Sequence, residues 1–177
     1  MDTRVTKAIS MVRRTGYILC LIFGFSVAST SFSSAQVKTK PFESWILACL
    51  ETEDARTCEL DQNVADPKGQ PVLQIQLGPI EKPELSRIGI RFPVDVSANQ
   101  PIVWSAGDVA LRMMLVACQG TSCFAEAPVG AEVLDRLGKM DPNALSRFTM
   151  RRANGAEVVI PLSLTGFSDA LTASASQ

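Results

Sequence analysis

The chain has 177 residues, with 17 Lys and Arg against 18 Asp and Glu, and it contains no histidine. This balance argues against general binding to nucleic acid or to an anionic membrane, because both need a basic face. The lack of histidine excludes Ser-His-Asp and Cys-His catalysis and removes the usual nitrogen ligand of zinc. Ser-Lys catalysis and paired carboxylates stay open, but we expect no metal, no cofactor and no enzyme activity.

The first 35 residues predict export. Positive residues precede the apolar run Tyr17–Phe25, and small residues end the segment at Ala35. This order is typical of a secretory signal with an Ala-x-Ala-like cleavage site. A retained anchor is the less favoured alternative, because the run is shorter than the roughly 20 residues of a spanning helix. We therefore predict a signal peptide over 1–35 and a single β-rich domain over 36–177, located in the periplasm, on the envelope or outside the cell.

Short alternating apolar segments follow, separated by turn residues, and this pattern is typical of antiparallel strands. Asp66 to Gly69 is a strong turn signal, and Asn154-Gly155 between two strand-like segments is the strongest hairpin signal in the chain. The stretch 109–118 holds one or two strands, so the total is about nine. The predicted strands cover residues 44–50, 56–62, 71–77, 85–92, 102–104, 109–118, 122–126, 145–152 and 158–164.

Helical spacing is rare. It occurs at Ala131–Leu137, with Gly138 as a C-terminal cap, and over one turn at 167–171. Residues 36–41 are predicted to be a polar leader and residues 172–177 a fraying tail. We therefore predict an all-β fold, a β-sandwich or barrel-like antiparallel domain with one or two short helices. A single antiparallel sheet with a covering helix is the alternative.

Four cysteines follow the predicted signal: Cys49, Cys58, Cys118 and Cys123. Spacing alone allows three pairings, but each of two predicted hairpins carries one pair on its two arms. Cross-strand neighbours come within disulfide reach, so we favour Cys49–Cys58 and Cys118–Cys123 and predict no free thiol. A zinc or redox site is the alternative. Only the second pair approaches zinc spacing, and neither pair has the two intervening residues of a redox motif.

The two tryptophans outside the signal are candidate anchors for a partner, since tryptophan is common at binding hot spots. Trp45 begins an apolar run and is predicted to be core. Trp104 lies between Pro101 and Gly107 in a loop-like setting, so it is the candidate partner-binding residue, with core packing an equal alternative. Solvent exposure is predicted for two charged groups: Glu51, Glu53 and Asp54, and Arg147, Arg151 and Arg152.

Several landmarks together resemble the invasion-associated locus B family of secreted bacterial proteins. The resemblance covers nearly all of the mature chain and implies a periplasmic or envelope-associated β-rich domain without catalytic residues to carry over. The family takes its name from a role in bacterial entry into red blood cells. The landmarks are Phe42, Trp45 and Cys49, then Cys58 and Gln62, then Cys118-Gln-Gly-Thr-Ser-Cys123, and the ending Pro161–Leu171.

The expected function is therefore that of a non-enzymatic envelope protein that binds another protein or an envelope component. A surface-exposed adhesion or invasion factor, acting in virulence, is the alternative and rests on the resemblance alone. A hydrolase that uses carboxylates is a third class. An enzyme is expected to have a deep cleft with convergent polar groups, whereas a binding module is expected to have an exposed apolar patch or an open sheet edge.

Overall fold

A computed structural model describes residues 36–93 and 100–175. The predicted signal peptide therefore lies outside the described residues. No helix in the described ranges is both long enough and apolar enough to span a bilayer. The elements in chain order are β1 Gln36–Phe42, β2 Trp45–Glu51, β3 Arg56–Ala65, β4 Pro71–Gly78, β5 Arg87–Pro93, β6 Ile102–Ala106, β7 Val109–Gln119, β8 Ser122–Pro128, α1 Ala131–Gly138, β9 Ser146–Arg151, β10 Glu157–Leu162 and α2 Phe167–Ala175.

The ten strands of the described residues form one continuous antiparallel sheet that curls into a half-barrel. Its order is β1-β2-β3-β4-β5-β8-β7-β6-β9-β10. The first five strands are a simple meander, and the order then jumps from β5 to β8. The predicted all-β, barrel-like antiparallel fold with two short helices is confirmed.

Alternation along the strands separates a core face from an outer face. In β4, Leu73, Ile75 and Leu77 are buried, whereas Gln74 and Gln76 are exposed, as the sequence pattern predicts. The core face also holds the large fully buried rings, and both helices contribute to it. The buried helical side chains are Leu134 and Leu137 in α1 and Phe167, Ala170 and Ser174 in α2.

Two terminal segments differ from the prediction. Residues 36–41 belong to β1, which pairs with β2 from Gln36–Glu51 to Phe42–Trp45, so the polar leader was wrong. Their side chains are nearly all exposed, and an edge strand without a buried face carries no alternating signal. Residues 172–175 extend α2 instead of fraying, because Arg56 donates a hydrogen bond of 3.1 Å to the carbonyl of Ser174.

Candidate functional site: the outer groove and the C-terminal clasp

The landmarks from both ends of the domain meet at one place on the core face. The indole Nε1 of Trp45 donates to the carbonyl of Ser163 at 3.0 Å. The buried Gln62 amide donates to the same carbonyl at 3.1 Å and to the carbonyl of Ser44 at 3.0 Å. The Trp45 ring meets the Phe167 ring edge-on, with centroids 5.0 Å apart. We call Trp45, Gln62, Ser163 and Phe167 the C-terminal clasp, because they fasten the chain after β10 to β2 and β3.

The clasp also requires a glycine. Gly166 has a φ of +84°, and a Cβ there would lie 2.0 Å from the carbonyl oxygen of Phe42. No side chain fits that approach, and the left-handed backbone itself favours glycine. The N–H of Ser44 donates to the carbonyl of Thr165 at 3.3 Å in the same contact. These landmarks therefore have a structural role, namely closing the domain.

Both disulfides join residues that are directly opposed across a strand pair. Cys49 in β2 is bonded to Cys58 in β3, with Cα atoms 4.1 Å apart, and Cys118 in β7 to Cys123 in β8, at 3.9 Å. This is the pairing that the hairpin geometry favours. Within the described residues there is no group of three or more side chains with metal-ligand chemistry. Both cysteines of the first disulfide are buried, whereas Cys118 of the second is exposed.

The structure corrects the surface role considered for Trp104. Its side chain is 0% exposed, and its Nε1 donates to the Ser146 hydroxyl at 2.9 Å. The ring stacks on Phe148, with centroids 5.9 Å apart, because the two residues oppose each other in the β6–β9 pair. Trp104 therefore has no face available to a partner. The flanking Pro101 and Gly107, which suggested a loop, lie just outside β6.

A groove of about 410 Å³ lies on the outer face of the sheet. Its position follows from strand register. Asn63 in β3, Gln74 in β4, Arg91 in β5 and Phe124 in β8 oppose one another in sequence across four neighbouring strands. A second row of residues that oppose one another across neighbouring strands, which includes Asp61 and Gln76, lies beside the first and completes the lining. We call this surface the outer groove, lined chiefly by Ile46, Asp61, Asn63, Gln74, Gln76, Arg91 and Phe124.

Phe124 has a fixed place in the outer groove because its neighbour is a glycine. A Cβ on Gly89 would lie 2.9 Å from both Cε2 and Cζ of the Phe124 ring. Glycine in the interior of a strand often marks such a close approach. The ring therefore rests on the β5 backbone, half-buried, and forms one wall of the groove. Arg91 and Phe124 also line a neighbouring cavity of about 280 Å³, which reaches Gln119 and Ser122 at the β7–β8 turn.

The polar side chains of the outer groove are not engaged with the protein. Within residues 36–93 and 100–175, no hydrogen bond or ion pair holds the side chains of Asp61, Asn63, Gln74, Gln76 or Arg91. Burial, and to a smaller extent the charge of Glu59, raises the pKa of Asp61 from 3.8 to about 6. A cavity with convergent polar groups and a shifted pKa marks a candidate functional site, either catalytic or ligand-binding.

Two other surfaces expose apolar side chains. Val37 and Leu50 oppose each other in the β1–β2 pair and are 63% and 43% exposed. A cavity of about 330 Å³ beside β10 is lined by Val64, Val158 and Val159 among others. β1 and β10 end the sheet order within the described residues. They are exposed apolar surfaces of the kind expected of a protein-binding module, and the outer groove differs from them in the number of its polar side chains.

A scan against protein families matches residues 45–175 to the family described as invasion associated locus B (IalB) protein. This chain belongs to that family. The resemblance found in the sequence is thus confirmed, and nearly all of its landmarks, from Trp45 to Leu171, lie inside the matched range. A search of curated proteins found no significant match.

Among solved structures, the chain is similar to the crystal structure of invasion associated protein B from Bartonella henselae. The TM-score is 0.61 at 14% sequence identity, and the alignment covers 78% of this chain and 95% of the Bartonella chain. A likeness at this identity supports the fold of this IalB-family domain. It carries no information about which residues bind a ligand.

The outer groove was missed in the sequence, although one signal was present. Gln74 and Gln76 were assigned to the face opposite the core, and Gly89 interrupts a strand pattern between Ile88 and Ile90. A glycine inside a predicted strand indicates close approach of another group. The partner, Phe124, was not identifiable, because β5 and β8 are not consecutive strands.

Proposed function

We propose that this IalB-family protein is exported to the cell envelope and acts there as a non-enzymatic binding protein, with the outer groove as its binding surface. One observation carries the proposal. Five polar side chains converge on a cavity of about 410 Å³ without hydrogen bonds or ion pairs to the described residues. Side chains without protein hydrogen bonds or ion pairs are available to a ligand without first breaking such contacts.

The scaffold under these side chains supports a binding role. Asp61, Gln76 and Arg91 lie on β3, β4 and β5, and each of these strands is paired on both sides. Sites built on paired strands are held more rigidly than sites on loops. Binding to a preformed surface loses less conformational entropy than binding to a mobile one.

The chemistry of the groove favours recognition over catalysis. Asp61 is the only carboxylate in its described lining, and glycoside hydrolysis in most families needs two. Glu59, the nearest acid along β3, lines a different cavity with Val37 and Leu50. A single carboxyl beside amides and a guanidinium is suited to hydrogen bonding with a ligand.

Export is supported by two features of different kinds. The N-terminal sequence has the charge and hydropathy order of a secretory signal. The two disulfides also match an oxidising compartment, since cytoplasmic thiols are kept reduced. The periplasm or the outer surface of the envelope satisfies both.

Site-directed photo-crosslinking in the native envelope tests the proposal. A photoreactive amino acid replaces Gln76 in the outer groove, and in the matched control it replaces Arg147, which is exposed on β9. We expect a discrete adduct from position 76 that is absent from position 147, detected by intact mass and identified by fragmentation. Equal labelling at both positions, or no adduct at position 76, contradicts a binding role for the groove.

Host-cell adhesion is the second candidate, favoured by the names of the matching family and of the Bartonella protein, both of which refer to invasion. It requires that the protein be exposed on the outside of the cell. Protease treatment of intact cells separates the two candidates. Degradation in intact cells supports the adhesion role, whereas protection until the outer membrane is opened supports a periplasmic binding protein.

A further inference from the structure

We propose that the outer groove binds a saccharide chain that carries a carboxylate, with Phe124 as the stacking platform and Arg91 as the anion-binding group. This inference rests on the proposed binding function and names its ligand class. It follows from four properties of the groove: its position in the sheet, its hydrogen-bonding groups, its ring and its unpaired cation.

The position of the groove favours recognition by side chains alone. β3, β4, β5 and β8 each pair with strands on both sides, so their backbone N–H and C=O groups are used within the sheet. An extended peptide commonly binds by adding a strand to a free edge, where backbone groups are open. Thr39 of the edge strand β1 borders the groove, but the amides, Arg91 and Phe124 lie on strands that are paired on both sides, which makes peptide addition over them unfavourable.

The hydrogen-bonding groups suit a ligand rich in hydroxyls. Asn63, Gln74 and Gln76 each provide two N–H donors and one carbonyl acceptor. A hydroxyl both donates and accepts, and a side-chain amide matches both functions. The apolar residues of the lining are Ile46, Phe124 and Ile75, and the last of these is buried, whereas protein partners usually bury several apolar anchors in fitted pockets.

The Phe124 ring supplies the apolar part of sugar recognition. The ring lies against Gly89, and it lines both the outer groove and the neighbouring cavity. The C–H groups on one face of a pyranose are weakly positive and pack against the negative face of an aromatic ring. Amides around one ring therefore match a sugar, which has an apolar face and a polar rim.

Arg91 is the reason why we predict an acidic ligand. Arg91 opposes Phe124 in the β5–β8 pair and Gln74 in the β4–β5 pair, and no carboxylate of the described residues pairs with its guanidinium. Arg87, on the same strand and face, is already paired with Glu126 at 2.6 Å. An unpaired guanidinium binds a carboxylate through two parallel hydrogen bonds.

The two cavities indicate a chain rather than a single sugar. The cavities of about 410 Å³ and 280 Å³ share Arg91 and Phe124 as lining residues. A ligand centred on those two side chains can extend in both directions, toward Asp61 on one side and toward Gln119 on the other. An oligosaccharide with its acidic unit in the middle satisfies this geometry.

Titration calorimetry of the exported protein, purified from the envelope, tests the inference. The probes are tetragalacturonate, its methyl ester, sialyllactose, a muramic-acid disaccharide and neutral chitotetraose. We expect at least one acidic probe to bind, and the neutral probes to bind about tenfold more weakly or not at all, since a hydrogen bond to a charged group is worth about tenfold or more. For that probe, Arg91→Ala and Phe124→Ala each lower the affinity by about tenfold, while Arg147→Ala leaves it unchanged.

Loss of binding counts only for folded variants, so each variant is first shown to keep the thermal unfolding midpoint of the parent. Failure of every acidic probe to bind, or equal binding by the Arg91→Ala variant, overturns the inference. The crosslinking result separates this from failure of the proposed function. A polypeptide adduct at position 76 together with no saccharide binding keeps the binding role and rejects the saccharide, whereas sugar fragment ions from the adduct support both.

Discussion

The C-terminal clasp and the outer groove share strands β2 and β3, where they lie on opposite faces, and they use polar side chains in different ways. Asp61 and Gln62 are neighbours in β3. The Gln62 side chain is buried, and its Nε2 donates to two carbonyls while its Oε1 has no hydrogen-bond partner among the described residues. The Asp61 carboxyl instead faces the groove without a hydrogen bond from any described residue. A buried polar group must be hydrogen-bonded or it costs stability. A group that binds a ligand is instead left without a hydrogen bond inside the protein, and the fold accepts the resulting loss of stability.

This difference separates what identifies the family from what would bind the ligand. Most landmarks that resemble the family in sequence lie in the clasp and the disulfides, and their contacts are internal, whereas Gln119 and Ser122 of the second cysteine motif line the cavity beside the groove. The groove residues Asn63, Gln74 and Arg91 have no internal side-chain hydrogen bonds or ion pairs within the described residues. Changes in the clasp are therefore expected to alter stability, and changes in the groove to alter binding.

Trp45→Ala is expected to have the largest effect. It removes a fully buried ring, its contact with Phe167 and its hydrogen bond to Ser163, and it should lower the free energy of unfolding by about 3–5 kcal/mol. Trp45→Phe is the matched control. It keeps an aromatic ring and loses chiefly the hydrogen bond, so a loss of about 1–2 kcal/mol is expected. Urea unfolding measures both, and equal losses would contradict the role of ring packing in the clasp.

Gly166→Ala is compared with Gly155→Ala, since both glycines have a φ near +85°. The backbone conformation alone costs alanine about 1–2 kcal/mol at either position. Only at position 166 does the new Cβ meet another group, the Phe42 carbonyl, while nothing lies within 4 Å of position 155. We expect Gly166→Ala to lose at least about 2 kcal/mol more than Gly155→Ala. Similar unfolding midpoints for the two variants would show that the close approach is relieved by movement of the chain.

The sequence predicted those parts of the fold that depend on local pattern. The alternation of Leu73, Gln74 and Ile75 placed β4 and its buried face correctly, and the two hairpins indicated the cysteine pairs. Features that depend on which distant strands pair, and in what register, could not be predicted from the sequence. Trp104 was assigned equally to core and surface, because only its pairing opposite Phe148 makes it core. The outer groove was missed because it combines side chains of β3, β4, β5 and β8, and the β5–β8 neighbourhood is set by topology.

Removal of the disulfides is expected to cost an intermediate amount. In the chain-entropy model, loops closed by separations of 9 and 5 residues stabilise the fold by roughly 2–3 and about 2 kcal/mol. Replacement of Cys49 and Cys58 by alanine should therefore lower the free energy of unfolding more than replacement of Cys118 and Cys123, also because both cysteines of the first pair are buried. Thiol titration of the denatured, unreduced exported protein should find no free thiol. Two or more reactive thiols would refute the pairing.

Asp61→Asn should make the protein more stable at neutral pH. The folded state raises the pKa of Asp61 from 3.8 to about 6, so the fold favours the protonated carboxyl. The parent protein therefore loses stability as the pH rises from about 4 to about 6, and it does not regain it above. We expect a gain of about 1–2 kcal/mol at about pH 7.5, reduced by solvent screening, that disappears at about pH 3. The exposed Asp54→Asn serves as the control, and a gain that is independent of pH would contradict ionisation as its cause.

Arg91→Ala should have the smallest effect on stability and thereby gives the sharpest test of the division. The guanidinium has no ion pair with the described residues, so its removal is expected to change the free energy of unfolding by no more than about 0.5 kcal/mol. Arg87→Ala is the comparison, because it breaks the pair with Glu126 on the same strand and face. A variant that unfolds like the parent and yet gives no adduct with the photoreactive group at position 76 would place the function of Arg91 in binding. A large loss of stability would instead show that Arg91 supports the sheet, and the groove would then be ordinary surface.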